Sequence, residues 1–140
     1  IQRKKMISPE IIKIASDTSN CGIKKKSNLI VTSKNKMCGD KITVEIETEN
    51  NIVKRMFYET EACIFCQASA SLLAKIIKKT NIRKLQNDIN DINVSHKNKK
   101  IVLKKQYKLF KKLFQQKYTE RFNCILLPFN ALLKAVNKSI

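Results

Sequence analysis

The stretch from Lys41 to Glu49 alternates strictly, with Ile42, Val44 and Ile46 on one side and Thr43, Glu45 and Glu47 on the other. A period of two is the mark of a half-buried strand. Asn50-Asn51 follows, two residues that tolerate the left-handed backbone of a tight turn, and Ile52 to Thr60 then returns as an antiparallel partner. Lys54 and Arg55 fall where they face the acids of the first strand, each exposed pair being worth about 0–1 kcal/mol. A short β-prone run, Leu29-Ile30-Val31-Thr32, is expected to add a third strand.

The rest of the chain reads as helices. Ser8-Pro9-Glu10 is a helix start, a capping serine followed by proline and an acid, with Ile11, Ile12, Ile14 and Ala15 as its apolar side. After the hairpin, Phe65, Ala68, Leu72, Leu73, Ile76 and Ile77 carry helical spacing to about Lys79, and Lys75, Lys78 and Lys79 gather where the dipole favours cations. The small residues Ala68 to Ser71 form a packing surface that brings this helix against the sheet. A helix is expected over Asn81 to Ile92, a loop over Ser95 to Lys100, and a helix over Leu103 to Tyr118 with Leu103, Tyr107, Phe110 and Phe114 on one side. Pro128 is expected to open the final helix in its first turn. The fold class is therefore α+β: a small antiparallel three-stranded sheet with helices packed on one face. With 140 residues, a single domain over 1–140 is expected, residues 1–7 being a loose tail.

A net charge of +18 would ordinarily point to nucleic acid or a membrane surface. Here the cations are almost all lysine, only Arg3, Arg55, Arg83 and Arg121 being arginine, and there is no tryptophan for base stacking. A lysine-, asparagine- and isoleucine-biased usage explains the charge without a specific nucleic-acid partner. From Lys97 to Lys117 there are nine lysines and no acid, a solvated face first and a docking surface for an acidic protein second. No apolar run approaches the length of about 20 residues that spans a bilayer.

Chemistry resides in the thiols. Five cysteines, at 21, 38, 63, 66 and 124, form no dense disulfide framework, which fits a reducing compartment: the cytoplasm, or an organellar matrix if a targeting segment preceded Ile1. Cys63 stands where a strand hands over to a helix, and Cys124 stands at another helix entrance, positions where a helix dipole lowers a thiol pKa. Gly39, between Cys38 and Asp40, lets the backbone turn so that thiol and carboxylate face one point. Cys38, Asp40, Cys63 and Cys124 make a mixed sulfur and oxygen set suited to zinc or an iron–sulfur cluster. Cys21 reads as a bystander, and Cys66 as a small buried residue of the helix first and an accessory thiol, a spare ligand or a sulfur relay, second.

Three segments occur in order: Asn35-x-x-Cys38-Gly39-Asp40, Ala62-Cys63-x-x-x-Gln67-Ala68-Ser69-Ala70-Ser71, and Arg121-x-x-Cys124-x-x-Leu127-Pro128-x-x-Ala131-Leu132. Together they resemble the NifU-like (IscU/SufU) family of iron–sulfur cluster assembly proteins, over about Ser8 to Val136. The resemblance implies a small antiparallel sheet with helices against it, and zinc or a nascent, transient cluster bound by Cys38, Asp40, Cys63 and Cys124. It also implies two kinds of partner: a pyridoxal-phosphate cysteine desulfurase that delivers sulfur as a persulfide, with Cys124 and Cys38 as candidate acceptors, and apoproteins that receive the cluster. The 61-residue step from Cys63 to Cys124 and the accessory Arg121 resemble the SufU branch; Asn123 stands where the IscU branch has histidine, and Ala62 where many relatives have glycine.

Two functions follow from the resemblance. As a scaffold rather than an enzyme, the protein would hold iron and sulfide, with Asp40 as the labile ligand that lets a cluster leave. As a zinc-dependent sulfurtransferase partner of the desulfurase, it would carry sulfur on a thiol. A pure binding module built on the lysine-rich stretch is the third class.

Overall fold

A computed structural model describes residues 7–36 and 39–140. Of the tail expected over 1–7, only Ile7 falls among them, and it packs against the core. Helix α1 (Pro9–Ser16) is capped as read, the Ser8 hydroxyl accepting the Glu10 N–H at 3.1 Å. Three strands follow, β1 (Leu29–Lys34), β2 (Lys41–Glu49) and β3 (Ile52–Glu61), antiparallel in the order β1-β2-β3. Asn50 and Asn51 take φ of 53° and 63°, the left-handed pair that a two-residue hairpin turn demands. The register slips between Glu47 and Thr48, so Lys54 and Arg55 both reach Glu47, at 3.8 and 3.1 Å.

Val44 lies opposite Val31 and Tyr58, and Ile46 opposite Leu29 and Met56, which places these side chains on one face. That face is the core face: Ile42, Val44, Ile46 and Met56 are fully buried. On the opposite face, where alternation predicts solvent, Glu45 is fully buried as well. The backbone of 24–27 wraps it: Oε1 accepts the N–H groups of Lys24 and Lys25 at 2.7 and 2.9 Å, and Oε2 those of Lys26 and Ser27 at 2.5 and 2.9 Å. Burial works against the charge, but the four amides prevail and hold the Glu45 carboxyl below its ordinary range. Lys24 also lies 5.7 Å over the Phe57 ring, so this segment shields the outer face of β2 and β3.

Helix α2 (Ile64–Ile76) ends three residues short of the expected Lys79, in a turn where Lys79 has φ 67°. Ala68 to Ala74 are all buried. The small side chains face helices more than the sheet the sequence suggested: Ser71 donates to the Asp17 carbonyl after α1, and Ser69 donates to Ile125 in the last helix. Helix α3 (Ile82–Lys97), capped by Asn81, runs through the first half of the expected 95–100 loop, and 98–100 is the non-helical remainder.

The expected helix over Leu103 to Tyr118 is instead two 3-10 segments, Lys105–Lys112 and Gln116–Arg121. Tyr107, Phe110 and Leu113, three apart and all fully buried, explain this, because three residues per turn stack such positions on one line. Phe110 packs on Phe129 with ring centres 4.7 Å apart. Buried Asp88 of α3 pins the segment, accepting from Tyr107 Oη at 2.9 Å, Lys104 Nζ at 2.7 Å and Lys84 Nζ at 2.6 Å. Helix α4 (Phe122–Ser139) begins six residues before Pro128, so the proline lies inside it rather than in its first turn. No helix among the described residues is long and apolar enough to cross a membrane.

Candidate metal centre

Three chain junctions meet at one point. The first is the β1–β2 loop, where the Asn35 N–H donates to the Asp40 carbonyl at 2.7 Å and the Gly39 N–H to the Asn35 carbonyl at 2.8 Å. Gly39 has φ 76°, and a Cβ there would meet nothing within 4 Å, so backbone conformation and not space calls for glycine. The turn sends Asp40 inward, where it is 6% exposed. Its Oδ1 accepts the Cys63 N–H at 3.1 Å, while Oδ2 is buried with no hydrogen-bond partner among the described residues.

The second junction joins β3 to α2. Cys63 is the N-cap of α2 and half-buried, directly before the first turn that holds Phe65 and Cys66. Burial pushes its thiol up, the Cys66 amide pulls it back, and the Asp40 charge pushes it up again; the net shift is upward. Without a cation the Cys63 thiol therefore keeps its proton at neutral pH. This corrects the simple dipole argument, in which a helix entrance alone lowers the pKa. Gln67 fastens the junction by donating from Nε2 to the Ala62 carbonyl at 2.9 Å.

The third junction is the head of α4. Cys124 is its third residue and is 3% exposed. Pro128 has no N–H to give the Cys124 carbonyl, which loosens the helical ladder at this turn. Ser69 of α2 braces the adjoining residue, its hydroxyl donating to the Ile125 carbonyl at 2.6 Å in a buried contact. Sequence reasoning assigned Ser69 to packing alone. The signal that marks it is a hydroxyl within an otherwise apolar buried helix face, which needs a partner.

One ligand atom each from Asp40, Cys63 and Cys124 lies within 4.8 Å of the others. A tetrahedral ion with sulfur at about 2.3 Å sets such atoms roughly 3.8 Å apart, so closing by about 1 Å suffices. Two soft sulfurs and a buried carboxylate oxygen lacking a partner fit zinc or iron. Cys38 lies outside the described residues. Arg121 is exposed at the N-cap of α4, while Cys66 is buried in the first turn of α2; neither joins the group. Cys21, half-buried, stands apart in a bridge to Tyr58.

Residues 6–138 match the model of the NifU-like N terminal domain. The chain belongs to that family. This NifU-like chain is 26% identical over 135 residues to a curated relative, the iron–sulfur cluster assembly scaffold protein IscU of Thermotoga maritima, covering 96% of this chain and 95% of that one. Among solved structures it resembles a NifU-like N-terminal protein from Brucella abortus, with TM-score 0.81, 20% identity and 95% of each chain covered. It also resembles a protein from Fervidobacterium islandicum described as a cluster assembly scaffold for the SUF system (TM-score 0.76, 17% identity, 92% of this chain and 95% of that one). The α+β NifU-like fold expected from the sequence is thus the fold observed.

Proposed function

We propose that this NifU-like chain is a scaffold for iron–sulfur cluster assembly, in which Cys38, Asp40, Cys63 and Cys124 take up iron and sulfide and the product passes to apoproteins. The observation that carries the reading is the meeting of an Asp40 carboxylate oxygen with the Cys63 and Cys124 sulfurs, together with a buried Asp40 Oδ2 that has no hydrogen-bond partner among the described residues. The named function of the Thermotoga relative supports it. Cys38, two residues before Asp40 in the chain, is the proposed fourth ligand. Thiolates suit iron, and a single carboxylate is the weaker ligand that favours release. Sulfur would come as a persulfide from a cysteine desulfurase, with Cys124 and Cys38 as acceptors.

A second reading, a zinc-dependent sulfur acceptor, draws on the upward-shifted Cys63 thiol, since a bound zinc keeps such a thiol deprotonated. Anaerobic reconstitution with iron and sulfide separates the two. A cluster that forms on the chain and transfers to an apoprotein supports the scaffold. One zinc per chain that resists replacement by iron, combined with stimulation of a desulfurase, supports the acceptor and sinks the scaffold.

A further inference from the structure

Cys66 has no place in the ligand group, yet it lies in the first turn of α2, three residues beyond Cys63 at the N-cap. This is the Cys-X-X-Cys arrangement at a helix head that serves thiol–disulfide exchange. The exposures are graded in the right sense. Cys63 is half-buried, so an incoming sulfur donor can reach it, whereas Cys66 is fully buried and closed to one. A chain needing nothing but a small buried residue at 66 has Ala or Ser available, as it uses at 68 to 71.

We propose that Cys63 accepts sulfur in addition to Cys124 and Cys38, and that Cys66 is a resolving thiol, which discharges the Cys63 persulfide as sulfide. The inference rests on the proposed function, in which sulfur arrives at the persulfide level while a cluster requires sulfide. In the step, the Cys66 thiol attacks the Cys63 sulfur and its proton passes to the departing outer sulfur. The bond between the Cys63 sulfur and the outer sulfur breaks, and hydrosulfide leaves with the electron pair. The outer sulfur is reduced and the Cys66 sulfur is oxidised, while the Cys63 sulfur stays at the level it had in the persulfide and exchanges one sulfur partner for the other; an external dithiol then returns the pair to two thiols while itself becoming a disulfide. Only a four-residue loop closes, so the entropy of joining the two residues is small.

The test treats the metal-free full-length chain anaerobically with glutathione persulfide, measures free sulfide, and maps the peptide holding residues 63 and 66 by mass spectrometry. Wild type is expected to release about one sulfide per chain through this exchange and to yield a peptide two hydrogens lighter. Cys66→Ser is expected to keep one extra sulfur on Cys63, with sulfide release down about tenfold. A wild-type peptide that retains the extra sulfur, or a disulfide joining Cys63 to Cys124, would overturn the proposal. So would loss of zinc binding in Cys66→Ser, which would make Cys66 a ligand. Failure of wild type to bind zinc or build a cluster, with the 63–66 disulfide still forming, would count against the scaffold reading alone.

Discussion

Asp40 accepts the Cys63 backbone N–H at 3.1 Å with Oδ1, keeps Oδ2 buried with no hydrogen-bond partner among the described residues, and brings a carboxylate oxygen within 4.8 Å of the Cys63 and Cys124 sulfurs. One side chain thereby fixes the head of α2 and offers a ligand. Asp40→Asn keeps an acceptor for the Cys63 N–H but loses the charge. Zinc affinity, read by chelator competition, is expected to fall about tenfold or more, with thermal stability little changed. Unchanged affinity would remove Asp40 from the ligand set.

Metal uptake should depend on pH through Cys63. Its thiol pKa in the folded chain lies above the ordinary value of 9.0, chiefly because it is buried. A metal must therefore displace a proton that the thiol holds throughout the neutral range. Zinc affinity is expected to weaken as pH falls from about 8 to 6, with at least about one proton released per zinc. Calorimetry in buffers of different ionisation enthalpy measures that release.

The same upward shift affects the metal-free fold in the opposite sense. A raised folded pKa contributes stability that is complete below the unfolded thiol pKa and is lost as pH rises through the folded value. Metal-free protein is expected to lose urea resistance above about pH 9, and Cys63→Ser to lose less of it.

Glu45 makes the opposite prediction. Its folded pKa is lowered from 4.5, with four backbone amides outweighing burial, so its contribution is present above the unfolded value and is lost as pH falls through the folded one. Glu45→Gln turns an NH2 toward two of those N–H donors. It is expected to cost about 2–3 kcal/mol at neutral pH in urea denaturation, and less in acid. An equal cost at pH 3 and pH 7 would refute the carboxylate's role.

Ser69→Ala removes the buried hydroxyl that donates to the Ile125 carbonyl. About 1–2 kcal/mol of stability should go, because the acceptor stays buried. Since Ile125 adjoins Cys124, zinc affinity should fall too, unlike in an exposed control such as Lys138→Ala.

What the chain reveals on reading divides along physical lines. The hairpin was legible because a period of two has no competitor over nine residues and Asn50-Asn51 marks the turn. The 3-10 segments were not: Tyr107 and Phe110 satisfy both helical periods, and only fully buried Leu113 decides for three residues per turn. Alternation placed Glu45 in solvent, since nothing local announces that backbone from 24–27 will wrap it. Pro128 signalled a helix start, but the buried run from Cys124 to Leu127 extends the helix ahead of it. The site was legible only through its motifs, since Asp40, Cys63 and Cys124 are remote in sequence and converge through the sheet and the α2–α4 packing.

The most direct test of the central claim is anaerobic cobalt titration of the metal-free chain, followed by the near-ultraviolet sulfur-to-cobalt charge-transfer band. The account predicts one cobalt per chain in a tetrahedral site, with the band diminished in Cys38→Ser, Cys63→Ser and Cys124→Ser. A chain that shows no such band, or a band untouched by Cys63→Ser and Cys124→Ser, would contradict it.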